Sequence, residues 1–265
     1  MSDVSNKSAL GLATYTWAAD GHQYVGTEMQ SPNVYIIYIQ QPSSEILKPV
    51  YTFSQPAQDI FHDATGNIWE VAHGPTNVLK YPLTGYAADG TPQFGSAVNY
   101  GIPGQLKDVR RIDVEGSSIY LSGFSPTDRD NNGDWGNWIS MGRTLVRYSS
   151  LPTGSGWPSP TWQDNNIYTS ACTAECSSPW GFAVNGSSFV GLTWLFDPTT
   201  HKQGELEVLN ASNGSLMEVL SPPLAGARMG YFDNEFSVEA ANGWFWLEDD
   251  FYTRIVGLCL SGACT

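Results

Sequence analysis

The chain predicts an all-β fold, a β-propeller formed as a single domain over residues 1–265. Three observations predict it. A turn pattern returns five times, each a short apolar run, a tight Gly turn and an aromatic-rich run. Strand-length runs bounded by Gly, Pro, Asn and Ser clusters fill the intervals between these turns. No stretch carries the apolar period of an amphipathic helix.

The five instances are TYTWAADGHQYVG (Thr14–Gly26), IFHDATGNIWEVA (Ile60–Ala72), RRIDVEGSSIYLSG (Arg110–Gly123), WGFAVNGSSFVGLT (Trp180–Thr193) and FSVEAANGWFWLED (Phe236–Asp249). Their turn glycines, Gly21, Gly66, Gly116, Gly186 and Gly243, stand 45, 50, 70 and 57 residues apart. Self-similarity at roughly 40–50 residues marks a stacked or radial repeat. Unit one resolves into strands Leu12–Trp17, Gln23–Thr27, Val34–Gln40 and Leu47–Phe53. Unit two gives Ile60–Asp63, Ile68–Ala72, Val78–Tyr81 and Ala97–Tyr100. Unit three carries a loop insertion at 125–142, and unit five has three strands, ending at Arg254–Leu260. A ring would close by borrowing its missing outer strand from Asp3–Ala9, removing the last exposed sheet edge. The expectation is five four-stranded blades, or six if the insertion in unit three hides one.

The segment DIFHDATGNIWEVAHGPTNVLKYPLTG (Asp59–Gly85) resembles an NHL-type or SMP30-like propeller repeat. The matching residues are Asp63, Gly66, Asn67, Ile68, Trp69, Val71, Ala72, Asn77, Val78, Lys80 and Tyr81. The match is partial in units three and five and faint in one and four. The resemblance implies a propeller in which Asp63 and Gly66 build the turn and Trp69 and Val71 fill the blade. It implies no one activity, because relatives of this kind include lactonases, lyases, scaffolds and RNA-binding modules.

Composition narrows the partners. Acidic residues outnumber basic ones 26 to 12, for a net charge of −14. Such a chain repels phosphate backbones and anionic lipid, so nucleic-acid partners are not expected. No stretch approaches the ~18 apolar residues of a spanning helix, so membrane insertion is not expected either. Charged residues are only 14% and aromatics 13%, including ten Trp. The cysteines form two close pairs, Cys172 with Cys176 and Cys259 with Cys264. In a polar, Lys-poor chain they point to disulfides and an oxidising compartment, with a four-thiolate zinc site as the alternative. The expected localisation is secreted or periplasmic, the leader being absent from MSDVSNKSALG. Asn-x-Ser sequons at Asn6, Asn185, Asn210 and Asn213 bear on glycosylation only in a eukaryotic source.

Topology places the candidate site. The innermost strand of each unit opens at the channel mouth, and alternation puts positions eight, six and four before the turn glycine on one face. These positions bring together Asp108, Glu235, Arg110, Tyr15, Trp180, His62 and Glu239. Two carboxylates in different environments are the minimum for glycoside hydrolysis. Glu235 and Asp108 are the candidate acid and base, with Glu239 beside them, Arg110 orienting, and Tyr15 and His62 lining the site. Trp180, Trp135 and Trp194 would stack on sugar rings, a flat apolar face with a polar edge suiting that use. Trp157 and Trp162 also fall in long connections, whereas Trp69 and Trp246 read as blade packing. An Asp108–Glu235 separation of about 5–10 Å would support hydrolysis.

In the insertion, Asp128, Asp130, Asn132 and Asp134 alternate around Gly133 like the first half of a calcium loop. Position twelve is Ile139 and not Glu, so the closing ligand is missing from the loop itself. Calcium there would be structural. No organic cofactor is expected: phosphate-loop, dinucleotide and nucleophile-elbow motifs are absent. Together these features point to a secreted carbohydrate-active propeller that binds a glycan or other small neutral ligand and leans toward hydrolase chemistry. The alternatives are a lectin-like or protein-interaction propeller, and a calcium-dependent SMP30-like lactonase.

Overall fold

The computed structural model describes residues 12–17, 23–27, 33–39, 45–53, 57–72, 77–88, 91–124, 143–154, 156–166, 177–186, 188–194, 206–220, 238–241, 243–249 and 254–260. Among them every regular element is a strand. The chain divides into two compact units, one of residues 1–103, 116–119 and 150–158, the other of 104–115, 120–149 and 159–265.

In the first unit, β1 (Leu12–Trp17), β2 (Gln23–Thr27), β3 (Asn33–Ile39) and β4 (Glu45–Thr52) form a sheet in chain order. A second sheet, from β5 (Ala57–His62), β6 (Ile68–Ala72), β7 (Val78–Tyr81) and β10 (Val98–Asn99), runs β10-β7-β6-β5. Between its last two strands the chain makes a hairpin, β8 (Leu83–Tyr86) with β9 (Pro92–Phe94), that sequence patterning did not predict. The predicted β1, β2, β6 and β7 agree residue for residue. The others shift by one to three residues at their ends.

A four-stranded sheet is made by β11 (Asp108–Glu115), β12 (Ser118–Phe124), β13 (Arg143–Tyr148) and β14 (Trp162–Asn166), all of it in the second unit except Ser118 and Ile119. Another comprises β15 (Ser177–Asn185), β16 (Phe189–Trp194), β17 (Leu206–Asn210) and β18 (Leu216–Leu220). The last is three-stranded: β19 (Val238–Ala241), β20 (Trp244–Asp249) and β21 (Arg254–Cys259). Asp3–Ala9, the expected closing strand, lies outside the described residues, as does the insertion at 125–142.

Strand alternation explains how these sheets pack. On β15, Phe182 and Val184 join a buried cluster with Tyr120, Leu145 and Trp162 of the preceding sheet. Ala183 between them turns the other way, into a cluster with Phe245 and Leu258 of the following sheet. Each fully buried aromatic or aliphatic side chain of this kind contributes about 1.5–3 kcal/mol. A polar tie adds register: the Val184 N–H donates to Asp113 Oδ2 on β11 at 3.0 Å.

The repeated turn has a definite chemistry. Gly66, Gly116, Gly186 and Gly243 all have positive φ, between 59° and 89°, a region that costs glycine little and other residues more. In unit two the Asp63 carboxylate organises the turn. Its Oδ1 accepts from the Thr65 and Asn67 N–H groups at 2.9 and 3.0 Å. Its Oδ2 accepts from Trp69 Nε1 at 2.8 Å. Burial alone would raise the pKa of this acid, but the hydrogen bonds from Asn67, Trp69 and Thr65 outweigh it and hold the pKa below its ordinary value.

Candidate functional site

Of the residues selected from sequence, Asp108, Arg110 and His62 have described side chains. Asp108 and Arg110 lie two apart on β11 and form an ion pair, Arg110 Nη2 to Asp108 Oδ2 at 2.5 Å. The guanidinium is nearly buried and lies over the Phe124 ring, 5.0 Å from its centroid. Gly123 on β12 admits the β11 main chain at this point, because a Cβ there would stand 1.8 Å from the Asp108 carbonyl oxygen. The arrangement makes Asp108 an anchored anion with Arg110 as its direct partner. His62 is buried at the end of β5, in register with Ile68. Its neighbour in the same alternating set, Ile60, belongs to an apolar cluster with Ile68, Ala72 and Tyr81.

Tyr15, Trp180, Trp194 and Glu239 are placed by backbone alone. Tyr15 pairs with Val25, Trp194 with Ser177, and Glu239 with Trp246. Trp180 falls within an irregular stretch of β15 between Ser177 and Phe182. Glu235, Trp135, Asp128, Asp130, Asn132 and Asp134 lie outside the described residues, and with them the calcium loop and the Asp108–Glu235 separation.

Two features were missed by sequence reasoning. The first is a tryptophan face on the last sheet. Trp69 is fully buried as expected, yet Trp246 is 43% exposed. It stacks on Trp244 with ring centroids 5.6 Å apart and planes at 21°. Phe245 between them points into the core. Gly257, in register with Trp246 on β21, leaves room for the indole, because a Cβ there would come within 2.7 Å of the ring. The Glu239 position is the β19 register partner of Trp246, so the two share a face. The signal was present as the alternation Trp-Phe-Trp opposite a glycine.

The second is Glu70, at the centre of β6. It is fully buried opposite Ile60. Its Oε2 accepts a 2.6 Å hydrogen bond from the Tyr81 hydroxyl, and Oε1 has no hydrogen-bond partner among the described residues. Desolvation pushes its pKa up to about 8, against the lowering pull of the Tyr81 bond. Burial thus favours the protonated form of Glu70 at neutral pH and seals it from solvent.

Other aromatics selected for stacking are engaged elsewhere. Trp162 is not in a loop but on β14, buried, with Nε1 donating to the Ala211 carbonyl at 2.8 Å. Trp157 donates to the Tyr100 carbonyl at 2.9 Å and packs edge-on against that ring. Among the described residues, no group of three or more His, Cys, Asp or Glu could hold a metal ion.

The sequence matches no protein-family model and no curated protein. Solved structures do resemble the chain. The PQQ-bound aldose sugar dehydrogenase of Streptomyces coelicolor superposes with a TM-score of 0.50 at 12% identity, over 96% of this chain and 79% of that one. A streptogramin B lyase gives 0.49 at 12% identity, over 95% and 83%. The WD40 β-propeller domain of Doa1 gives 0.42 at 9% identity, over 93% and 67%. At such identities the likeness speaks for the fold alone, and that fold is a β-propeller.

Proposed function

We propose that this β-propeller binds carbohydrate through the Trp244–Trp246 face of its last sheet, in a secreted or periplasmic setting. The observation that carries the reading is the stacked and partly exposed indole pair. Two near-parallel rings form a broad apolar platform of the kind sugar C–H faces pack against, and indole N–H groups supply a polar edge. The net charge of −14 favours a neutral or cationic ligand over an anionic one. An oxidising compartment is what the two close cysteine pairs of the sequence suggest. Calcium at Asp128–Asp134 would serve to stiffen the insertion.

Hydrolysis is the second reading, favoured by the Glu239 position lying on the tryptophan face. Glu239 would then work with Glu235, and Asp108 would be held by Arg110 in a supporting role.

The test is a glycan-array and polysaccharide pull-down on the purified chain, with calcium and with chelator, scoring retention and new reducing ends. Retention alone means a lectin-like module, and retention with reducing ends means a glycosidase. Trp246→Ala should weaken retention about tenfold, ~1.4 kcal/mol. Wild-type retention in that variant would remove the platform from the reading.

A further inference from the structure

Four Asn-x-Ser sequons are equal as sequence but not as structure. Asn185 is buried, its Nδ2 donating to the Trp244 carbonyl at 3.2 Å and its Oδ1 accepting from the Gly243 N–H at 3.4 Å. A sugar on that nitrogen would break the contact between β15 and β20. Asn6 lies outside the described residues. Asn210 and Asn213 stand together at the β17–β18 turn.

That turn separates the two. Asn210 is half-buried at the end of β17. Its Oδ1 accepts from both the N–H and the hydroxyl of Ser212, at 2.8 and 2.6 Å. The Ser212 hydroxyl is thereby committed to the side chain it would have to help present. Asn213 is exposed, and its Oδ1 accepts only the Ser215 N–H among the described bonds, at 2.9 Å. Asn213 stands on a turn that is firmly seated. Gly214 has φ +73°, and a Cβ there would meet the Trp162 indole at 2.8 Å, so the turn rests on that ring. The Gly214 N–H donates to the Asn210 carbonyl at 2.8 Å, closing the loop from within.

We infer that Asn213 is the acceptor for an asparagine-linked oligosaccharide. The step joins the Asn213 Nδ2 to the anomeric carbon of a lipid-pyrophosphate-linked oligosaccharide. The carbon–oxygen bond to pyrophosphate breaks, the lipid pyrophosphate leaves with the electron pair, and one amide proton passes to a base of the transferase. For its natural occurrence the inference rests on the secreted form of the setting proposed above, in a eukaryotic source; its chemistry does not depend on either. The glycan would lie beside β18, the outermost strand of its sheet, where Leu216 and Met217 are 57% and 52% exposed. Bulk at that edge blocks strand addition by another chain.

The experiment secretes the full chain from a eukaryotic host behind a heterologous leader, so delivery does not depend on the protein's own localisation. Peptide-N-glycosidase digestion in heavy-oxygen water, followed by peptide mapping, reads each asparagine separately. The expected result is the heavy tag at Asn213 and none at Asn185. The mobility shift should be lost in both Asn213→Gln and Ser215→Ala. Secreted, folded chain without the tag at Asn213 overturns the inference, as does a tag at Asn210 in its place or at Asn185. The glycan-binding reading is scored separately, by retention of the deglycosylated chain on polysaccharide.

Discussion

Glu70 shows how far a residue can depart from what its neighbours in sequence suggest. In IWEVA it is the one charged residue, alternating with Trp69 and Val71, and it is sealed on the same face as Ile68 and Ala72. The flanking Ile68 and Ala72 mark the face as apolar, but the rest of the burial is made by residues from β5, β7 and the Phe53 region, distant in sequence. Asp63 is the opposite case: its partners are two, four and six residues away, so its role was legible from the turn motif. The consequence of the Glu70 environment is a pH dependence of stability. Its folded pKa, about 8, exceeds the ordinary 4.5, so the folded state holds a proton that the unfolded chain has released. The contribution is complete below pH 4.5 and is lost as pH rises through about 8, an effect on the order of a few kcal/mol. Denaturation midpoints should therefore fall between those limits, and Glu70→Gln should flatten the fall. An unchanged slope in the variant would place the titrating group elsewhere.

At the scale of elements, the repeated hairpins were legible because turn chemistry is short-range, and the added β8–β9 hairpin was not. Leu83–Tyr86 contains Gly85 and Pro92–Phe94 opens on proline, residues that patterning assigns to loops. What holds the hairpin is non-local: the Leu83 N–H donates to Asn67 Oδ1 at 3.1 Å, and the Leu83 side chain covers Gly66. Gly66 therefore serves twice, in its φ of +89° and as the floor beneath Leu83, where a Cβ would stand 2.5 Å from Cδ2. Gly66→Ala should cost about 1–3 kcal/mol by strain alone, measured by chemical denaturation. Gly116→Ala, at φ +60° with nothing within 4 Å of its Cβ, should cost less. Equal costs would mean that the Leu83 contact contributes nothing.

For the whole molecule, repetition made the propeller legible while leaving its use open, since activity in such folds depends on a few residues placed upon them. The selected carboxylates came from register alone, which placed Asp108 and Arg110 together but could not foresee that they would bind each other. Net charge acts at this scale too. A chain at −14 repels itself. Raising ionic strength from ~0.01 M to ~0.15 M cuts the screening length from about 30 Å to about 8 Å, so the thermal midpoint should rise. A falling midpoint would mean that specific ion pairs outweigh the general repulsion. The Trp244–Trp246 stack carries one more consequence, an optical one. Indoles 5.6 Å apart and nearly parallel share their electronic excitations, so this pair should give a circular-dichroism couplet that Trp246→Ala abolishes while the β signal stays. A ligand settling on the rings would perturb that couplet without any added dye, and the protein would report its own occupancy in light.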